Sequence, residues 1–279
     1  MGVLPGPVTE FDERGLWPRF AHPRVGAFMS TRLGGVSSGP YASFNLRPGV
    51  GDDEGSVADN RRRLADLIGV PSVRVDQVHG VTVHRVGRAD PASGVIAPAA
   101  MPVADATFSA QSGVACEIHV ADCLPVLFAD VDGRVVGAAH AGWRGLAGGV
   151  LEACLGRLCE HAGMSTGSIE AWLGPCIGPQ RFEVGLDVLQ AFGATADAPG
   201  PWFKPRVDDE ATGPSGKWWA DLAGLARQRL MQAGVHRLGG NDGGAAWCTA
   251  SDASRYFSYR RDRRTGRMAA LIWLREGKA

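Results

Sequence analysis

Residues 121–146 read ADCLPVLFADVDGRVVGAAHAGWRGL, and they carry a thiol and an imidazole where few polar groups are expected. Two apolar runs flank Asp132-Gly133, with Cys123 just before the first and His140 near the end of the second. Asp-Gly between apolar runs predicts a two-residue type I′ hairpin. That register sets Val131 opposite Arg134, Pro125 opposite His140 and Cys123 opposite Gly142. Cys123 and His140 then become diagonal neighbours on one face. A turn one residue longer would send them to opposite faces. Both faces of the hairpin are apolar, which predicts a central position in a sheet. A buried thiol beside a buried imidazole needs a hydrogen-bonded partner or a task.

His79 is the third candidate. Residues 73–86 alternate with period two, and the face Val73, Val75, His79, Val81, Val83 is apolar apart from Gln77 and His79, so His79 is expected to point at the core. A histidine on an apolar face is ordinarily a hydrogen-bonded core residue, and a free cysteine is ordinarily a small buried hydrophobe. The neighbours favour more: Gln77 and Gly80 beside His79, Asp122 and Pro125 around Cys123, Gly142 and Gly145 after His140. Glycines let a backbone or ligand approach closely. The residues thus admit either a packed core or a His–Cys–His metal site.

Other residues carry weaker signals. Cys154 and Cys159 fall in a helical stretch and read as packing; Cys116 and Cys248 have no partner pattern. Cys176, in GPCIGP, is a possible site residue, and His119 is an outside candidate because it lies four residues before Cys123. His84 reads as solvated. The segment RYFSYRRDRRTGR carries Arg255, Arg260, Arg261, Arg263, Arg264 and Arg267. Such a run is usually a solvated hairpin, although arginine also binds phosphate oxygens in bidentate fashion.

The elements that must position these groups follow from periodicity. Helices are expected over 52–70, with Leu64, Leu67 and Ile68 on one face and Gly69 as the stop, over 143–163, 182–193 and 219–234. Strands are expected over 114–130, 134–142 and 168–179, and after Gly26. Residues 91–105 and 194–216 read as loops. The C-terminal RYFSYRRD and RMAALIWL are expected to pair as a hairpin across 264–266. Irregularly interspersed helices and many strands predict an α+β fold with a large mixed β-sheet, and no repeat or linker divides residues 1–279.

Composition narrows the setting. The 279 residues, 45% of them hydrophobic, suffice for a large core. Lys+Arg and Asp+Glu are 29 each, so nothing global favours nucleic acid or an anionic membrane. Prolines and acids fill the N-terminal stretch where a secretory signal needs an apolar run, and MAALIWL is too short to span a bilayer. The expectation is a cytoplasmic protein whose six cysteines are buried thiols, ligands or nucleophiles.

The motifs STRLGGVSSGPYASFNL, DQVHG, ADCLPVLFAD, AAHAGWRGL, GPCIGP followed by RFEVG, and SYRRD followed by TGRMAALIWL closely resemble the YfiH/DUF152 family, from about Ser30 to Leu274. This family is also described as multicopper polyphenol oxidase (laccase-like) and as peptidoglycan editing factor. The resemblance implies a single α+β domain and a zinc ion held by His79, Cys123 and His140. It implies phosphorolysis of adenosine, inosine, guanosine and methylthioadenosine, with hydrolytic deamination of adenosine, so that purine nucleosides and inorganic phosphate are the expected partners. Copper-dependent phenol oxidation and editing of a peptidoglycan precursor are also attributed to the family.

Two His and one Cys leave an open position on a tetrahedral zinc, which can lower the pKa of a water toward neutrality. Asp122 and Glu183 are candidate proton shuttles. Arg32, Arg144 and Arg260 or Arg261 are candidate phosphate ligands, Arg144 at the start of a helix that follows glycines. Asn45 and Cys176 complete the candidate substrate contacts. Copper also suits two His and a Cys, yet the seven histidines include no His-x-His pair of the kind a trinuclear copper cluster uses. Cys123 and His140 alone would instead make a thiolate–imidazole pair for an amidase, and a non-catalytic metal-binding protein is the remaining alternative.

Overall fold

In the computed structural model, residues 5–87, 101–207 and 214–277 are described. The expected loop at 91–105 lies outside them up to residue 100. Among the described residues, fifteen strands form two six-stranded mixed sheets and a three-stranded one. Sheet A runs in the order β1 (Val8–Phe11), β2 (Gly15–Arg19), β3 (Val25–Ser30), β15 (Met268–Leu274), β7 (Ala115–Val120), β4 (Ser72–Val73). Sheet B runs β14 (Arg237–Gly240), β10 (Ile169–Leu173), β8 (Leu124–Asp130), β9 (Val136–Ala141), β6 (Ala106–Ser109), β5 (Val83–Arg85). The small sheet is β11 (Glu183–Val184), β13 (Pro214–Ala220), β12 (Phe203–Val207). The α+β class and the mixed pairing hold, with the strands divided between two large sheets.

The two large sheets face each other. Ile118, Val120, Ala270 and Ile272 of sheet A pack against Leu127, Ala129, Val136 and Ala138 of sheet B. Helix α1 (Glu54–Ile68) covers the outer face of sheet A with Leu64 and Ile68. Helices α3 (Val150–Ala162) and α5 (Leu222–Gln232) cover the outer face of sheet B, where Leu124, Val126, Phe128, Ala139 and Ala141 meet Leu151, Leu155 and Leu158. This layering explains why the β8–β9 hairpin is apolar on both sides: one face looks at helices and the other at a second sheet.

Helix ends obey local chemistry. The Asp53 carboxylate accepts from Ser56 N–H at the start of α1, and Gly69, at φ 71°, closes it. The expected helix over 143–163 is two helices, α2 (Trp143–Gly148) and α3, because Gly149 at φ 98° breaks the ladder.

Several expectations are corrected. Residues 73–86, expected as a strand or a tight pair of strands, are neither: β4 ends at Val73 in sheet A, β5 begins at Val83 in sheet B, and between them lie a single bridge from Asp76 to Val103 and His79 at φ 63°. The loop expected over 194–216 contains β12 and the start of β13, whose pairing the Pro- and Gly-rich composition concealed. No C-terminal hairpin forms, because Tyr259–Asp262 is a short helix, α6, and β15 pairs with β3 and β7 instead. The strand over 168–179 is cut to Ile169–Leu173, and the helix over 182–193 shrinks to α4 (Leu186–Ala191) after β11.

The hairpin tip also differs. Type I′ needs positive φ at both central residues, and of these only Gly133 has it, at 64°. Val131 N–H donates to the Ser168 carbonyl rather than to Arg134. The register nevertheless places Leu124 opposite Ala141 and Pro125 opposite His140, as expected. The longer tip adds residues in equal number to both strands, so facing is unchanged.

Candidate metal centre

His79, Cys123 and His140 come together at one end of the sheet sandwich, each offering a donor atom within 4.8 Å of the others. Cys123 Sγ lies 3.7 Å from His79 Nε2. The two imidazole rings meet edge-on at 4.8 Å between centroids. Tetrahedral zinc with ordinary Zn–S and Zn–N bonds separates its sulfur and nitrogen ligands by about 3.6 Å, close to the Cys123–His79 spacing.

Two of the three candidate ligands sit where the chain passes between sheets. Cys123 lies in the short crossing from β7 of sheet A to β8 of sheet B. His79 lies in the crossing from β4 of sheet A to β5 of sheet B. His140 is supplied by β9 itself, on the face turned toward sheet A. His79 is exposed rather than core-facing, because its left-handed backbone swings it out of the strand alternation expected for it.

Asp105, which the sequence reading missed, organises the site. Fully buried, its Oδ1 accepts from His140 Nδ1 at 2.9 Å and from His79 N–H at 2.9 Å. Its Oδ2 accepts from Gly80 N–H at 2.6 Å and Val78 N–H at 3.2 Å. One carboxylate thus holds His140 with Nε2 free for an ion and pins the loop that carries His79. Burial alone would raise the Asp105 carboxyl, but the His140 hydrogen bond and the Gly80 and His79 amides hold it below the usual range. The only sequence signal was a carboxylate in MPVADATF at the mouth of a buried strand.

Gln77 fixes the same loop from the other side. Its amide donates to the His119 carbonyl and accepts from His119 N–H, both at 2.8 Å, extending the pairing on β7 by one side chain. The glycines are steric necessities. A Cβ on Gly142 would stand 2.7 Å from His79 Cδ2 and 3.0 Å from Cys123 Sγ, and one on Gly145 would stand 3.0 Å from the Gly80 carbonyl oxygen.

Burial opposes ionisation of Cys123, yet the charge and hydrogen bond of His140, with His79 beside it, pull the thiol below its ordinary range. His140 is raised by the same pairing and by Asp105. A thiol drawn down beside an imidazole drawn up favours the thiolate–imidazolium form, from which a cation would displace a proton on binding. The Arg267 guanidinium feels the charges of both Cys123 and Asp122, so positive charge stands close by.

The remaining candidates are scattered. Asp122, at φ 87°, accepts from the Thr249 hydroxyl and from Arg260 N–H, both at 2.6 Å. Asn45 is buried, donating to Asp52 and the Arg47 carbonyl and accepting from Arg47 and Arg267 N–H. Arg32 donates to the Ala42 and Ala253 carbonyls. Cys176 is buried against Asn241, and burial pushes its thiol up. Arg144 is exposed and stacks on Trp143. Arg260 donates to the Glu183 carbonyl, while the Glu183 carboxylate pairs with Arg206. His119 is turned away from the site and pairs with Glu117 at 2.6 Å.

Residues 26–275 match the family described as multi-copper polyphenol oxidoreductase laccase. The chain belongs to this family. It is 46% identical over 260 residues to a Pseudomonas aeruginosa protein named purine nucleoside phosphorylase, covering 93% of this chain and 97% of that one. It is 43% identical to the Escherichia coli purine nucleoside phosphorylase YfiH, covering 92% and 97%. A crystal structure of a DUF152-family protein from Neisseria meningitidis superposes with a TM-score of 0.79 at 39% identity, covering 94% of this chain and all of that one. The YfiH resemblance drawn from the motifs is thereby established, together with the fold.

Proposed function

We propose that the protein is a zinc-dependent purine nucleoside phosphorylase acting on adenosine, inosine, guanosine and methylthioadenosine, and that it also deaminates adenosine. The observation that carries this reading is the His79–Cys123–His140 donor set, fixed by Asp105 and open to solvent on the His79 side, in a chain whose relatives are named purine nucleoside phosphorylases. In phosphorolysis the C1′–N glycosidic bond breaks, a phosphate oxygen takes its place at C1′, and the departing purine acquires a proton. In deamination water adds at C6 and ammonia leaves.

Bound zinc would supply a Lewis acid and a water of lowered pKa. The chain's own residues do the rest. Asp105 orients the His140 imidazole and pins the backbone of the His79 loop, and Asp122 fixes the backbone of α6 at Arg260. Of the two candidate proton shuttles, Glu183 is paired with Arg206, and Asp122, adjacent to Cys123 in the chain, accepts from the Thr249 hydroxyl and Arg260 N–H. Arg144 and Arg260 are the nominated cations with most donors left for an anion; Arg32 spends two nitrogens on backbone carbonyls, and Arg261 spends all three on Asp262 and backbone carbonyls. Arg144→Ala is expected to raise the phosphate KM about tenfold, and an unchanged value would remove that residue from the site.

The test is metal content of the purified protein with product analysis on adenosine. About one zinc per chain, with adenine appearing only when phosphate is present, supports the phosphorylase. Inosine in both conditions adds the deaminase. Absence of turnover with zinc bound would leave a non-catalytic metal protein.

Two alternatives have an observation behind them. His–Cys–His also suits copper, in keeping with the family's oxidase description. Among the described residues, however, one three-donor cluster is found, and a trinuclear copper site needs many more ligands. The row Cys123–His140–Asp105 is ordered like a nucleophile, base and orienting carboxylate of a cysteine amidase. That reading gives the second imidazole, His79, nothing to do; hydrolysis of an amide by the zinc-free protein would favour it.

A further inference from the structure

A cavity of about 570 Å³ opens between α6 and the small sheet, lined by Arg181, Arg260, Arg261 and Arg263 with Trp219 and Glu183. Four arginines and one acidic residue line it, and the carboxylate of that residue is paired with Arg206. Arg261 is a fixed charge, tied to Asp262 and to the Thr249, Ala250 and Tyr256 carbonyls. Arg260 spends one nitrogen on the Glu183 carbonyl and lies over the Phe182 ring. Arg181 makes a single long bond to the Ser251 hydroxyl, at 3.3 Å. Arg263 stands at φ 59°, ψ −61°, a conformation costly for a residue with a side chain, and it is turned onto Tyr259.

We propose that this cavity binds a phosphoryl oxyanion, with Arg181, Arg260 and Arg263 as its ligands. Guanidinium groups favour bidentate contact with tetrahedral oxyanions, and a surplus of positive charge within walls concentrates them. The volume exceeds what phosphate alone fills and suits a nucleoside-sized ligand, with the Trp219 indole as an apolar wall. The cavity is joined to the metal centre through one residue: Asp122, next to Cys123, accepts from the Arg260 backbone N–H. The oxyanion is inorganic phosphate or a phosphoryl group carried on a nucleoside. The first source rests on the phosphorylase reading; the site itself does not.

Arginine modification by phenylglyoxal, mapped by peptide mass spectrometry on the full-length zinc-loaded protein, tests this without turnover. Arg62, exposed on α1, serves as the reference. Protection of Arg181 and Arg263 at least fivefold over Arg62 by millimolar inorganic phosphate supports the site with phosphate as ligand. Protection by adenosine 5′-monophosphate alone supports it with a nucleotide as ligand. No protection by either overturns it. Phosphorolysis without protection would overturn this site and leave the phosphorylase reading standing; protection without phosphorolysis would do the reverse. Where phosphorolysis occurs, Arg181→Ala with Arg263→Ala is expected to raise the phosphate KM at least tenfold with zinc content unchanged.

Discussion

At the residue scale the site depends on a carboxylate that lies behind its histidines. Asp105 accepts four hydrogen bonds, three from consecutive backbone amides and one from His140. Asp105→Asn keeps the size but turns one acceptor into a donor facing N–H groups. Each buried amide left without a partner costs about 1–3 kcal/mol. Loss of an orienting carboxylate typically weakens metal binding about 10–100-fold. Zinc affinity of the variant, measured by competition with a chromogenic chelator, should fall within that range; an unchanged affinity would mean that the loop is held by other contacts.

Elements set how closely the ligands approach. The start of α2 is pressed against the His79 loop, and Gly142 leaves only 2.7 Å for a Cβ beside the His79 ring. Gly142 has an ordinary φ of −65°, so Gly142→Ala tests the contact alone. The expected result is a protein of near-native secondary structure whose zinc affinity drops at least tenfold, read by circular dichroism and chelator competition. Across the molecule, α1 is tied to sheet A by charge as well as by Leu64 and Ile68. Arg61 donates to fully buried Glu117 at 2.8 Å, and the Ser72 hydroxyl and His119 complete the set. Burial would raise the Glu117 carboxyl, but His119 and Arg61 hold it well below its usual value of 4.5. A carboxyl lowered on folding contributes stability that is present above its unfolded pKa and lost as pH falls below it. Urea unfolding is therefore expected to show stability falling below about pH 4.5, and Arg61→Met, which takes the arginine charge from the buried carboxylate and leaves it only Ser72 and His119, should cost about 3 kcal/mol at pH 7.

For the whole molecule, an ion at this site would join two sheets. Cys123 and His79 belong to the two crossings between sheets A and B, and His140 to sheet B. An ion bound only by the folded state adds about 2.7 kcal/mol at a concentration 100-fold above its Kd. For a chain of this size that is worth roughly 5–10 °C in Tm. Stripping zinc with a chelator should lower Tm by that amount, and zinc should restore it. A shift of less than a degree would mean that the sheets alone hold the crossings together. Among the described residues, no helix is long and apolar enough to cross a membrane.

Legibility followed the range of the interaction. Hairpin parity is a local property, so the sequence alone placed Cys123 and His140 on one face and made the hairpin central. The same holds for the Asp53 cap and the Gly69 stop. The alternation in 73–86 also nominated His79, but as a core-facing residue, and the family motifs then gave it the role of a ligand. Residues 73–86 look like a strand because valines alternate there, yet tertiary hydrogen bonds from Gln77 and Asp105 override the alternation and turn His79 outward. Asp105 was invisible for the same reason: it lies 35 residues from His140, and nothing in its neighbourhood announces the partner. The division of strands into two facing sheets and the gathering of arginines around one cavity were likewise decided only when distant segments packed. Periodicity encodes which side of an element is apolar; which distant element covers that side is a property of the packed chain.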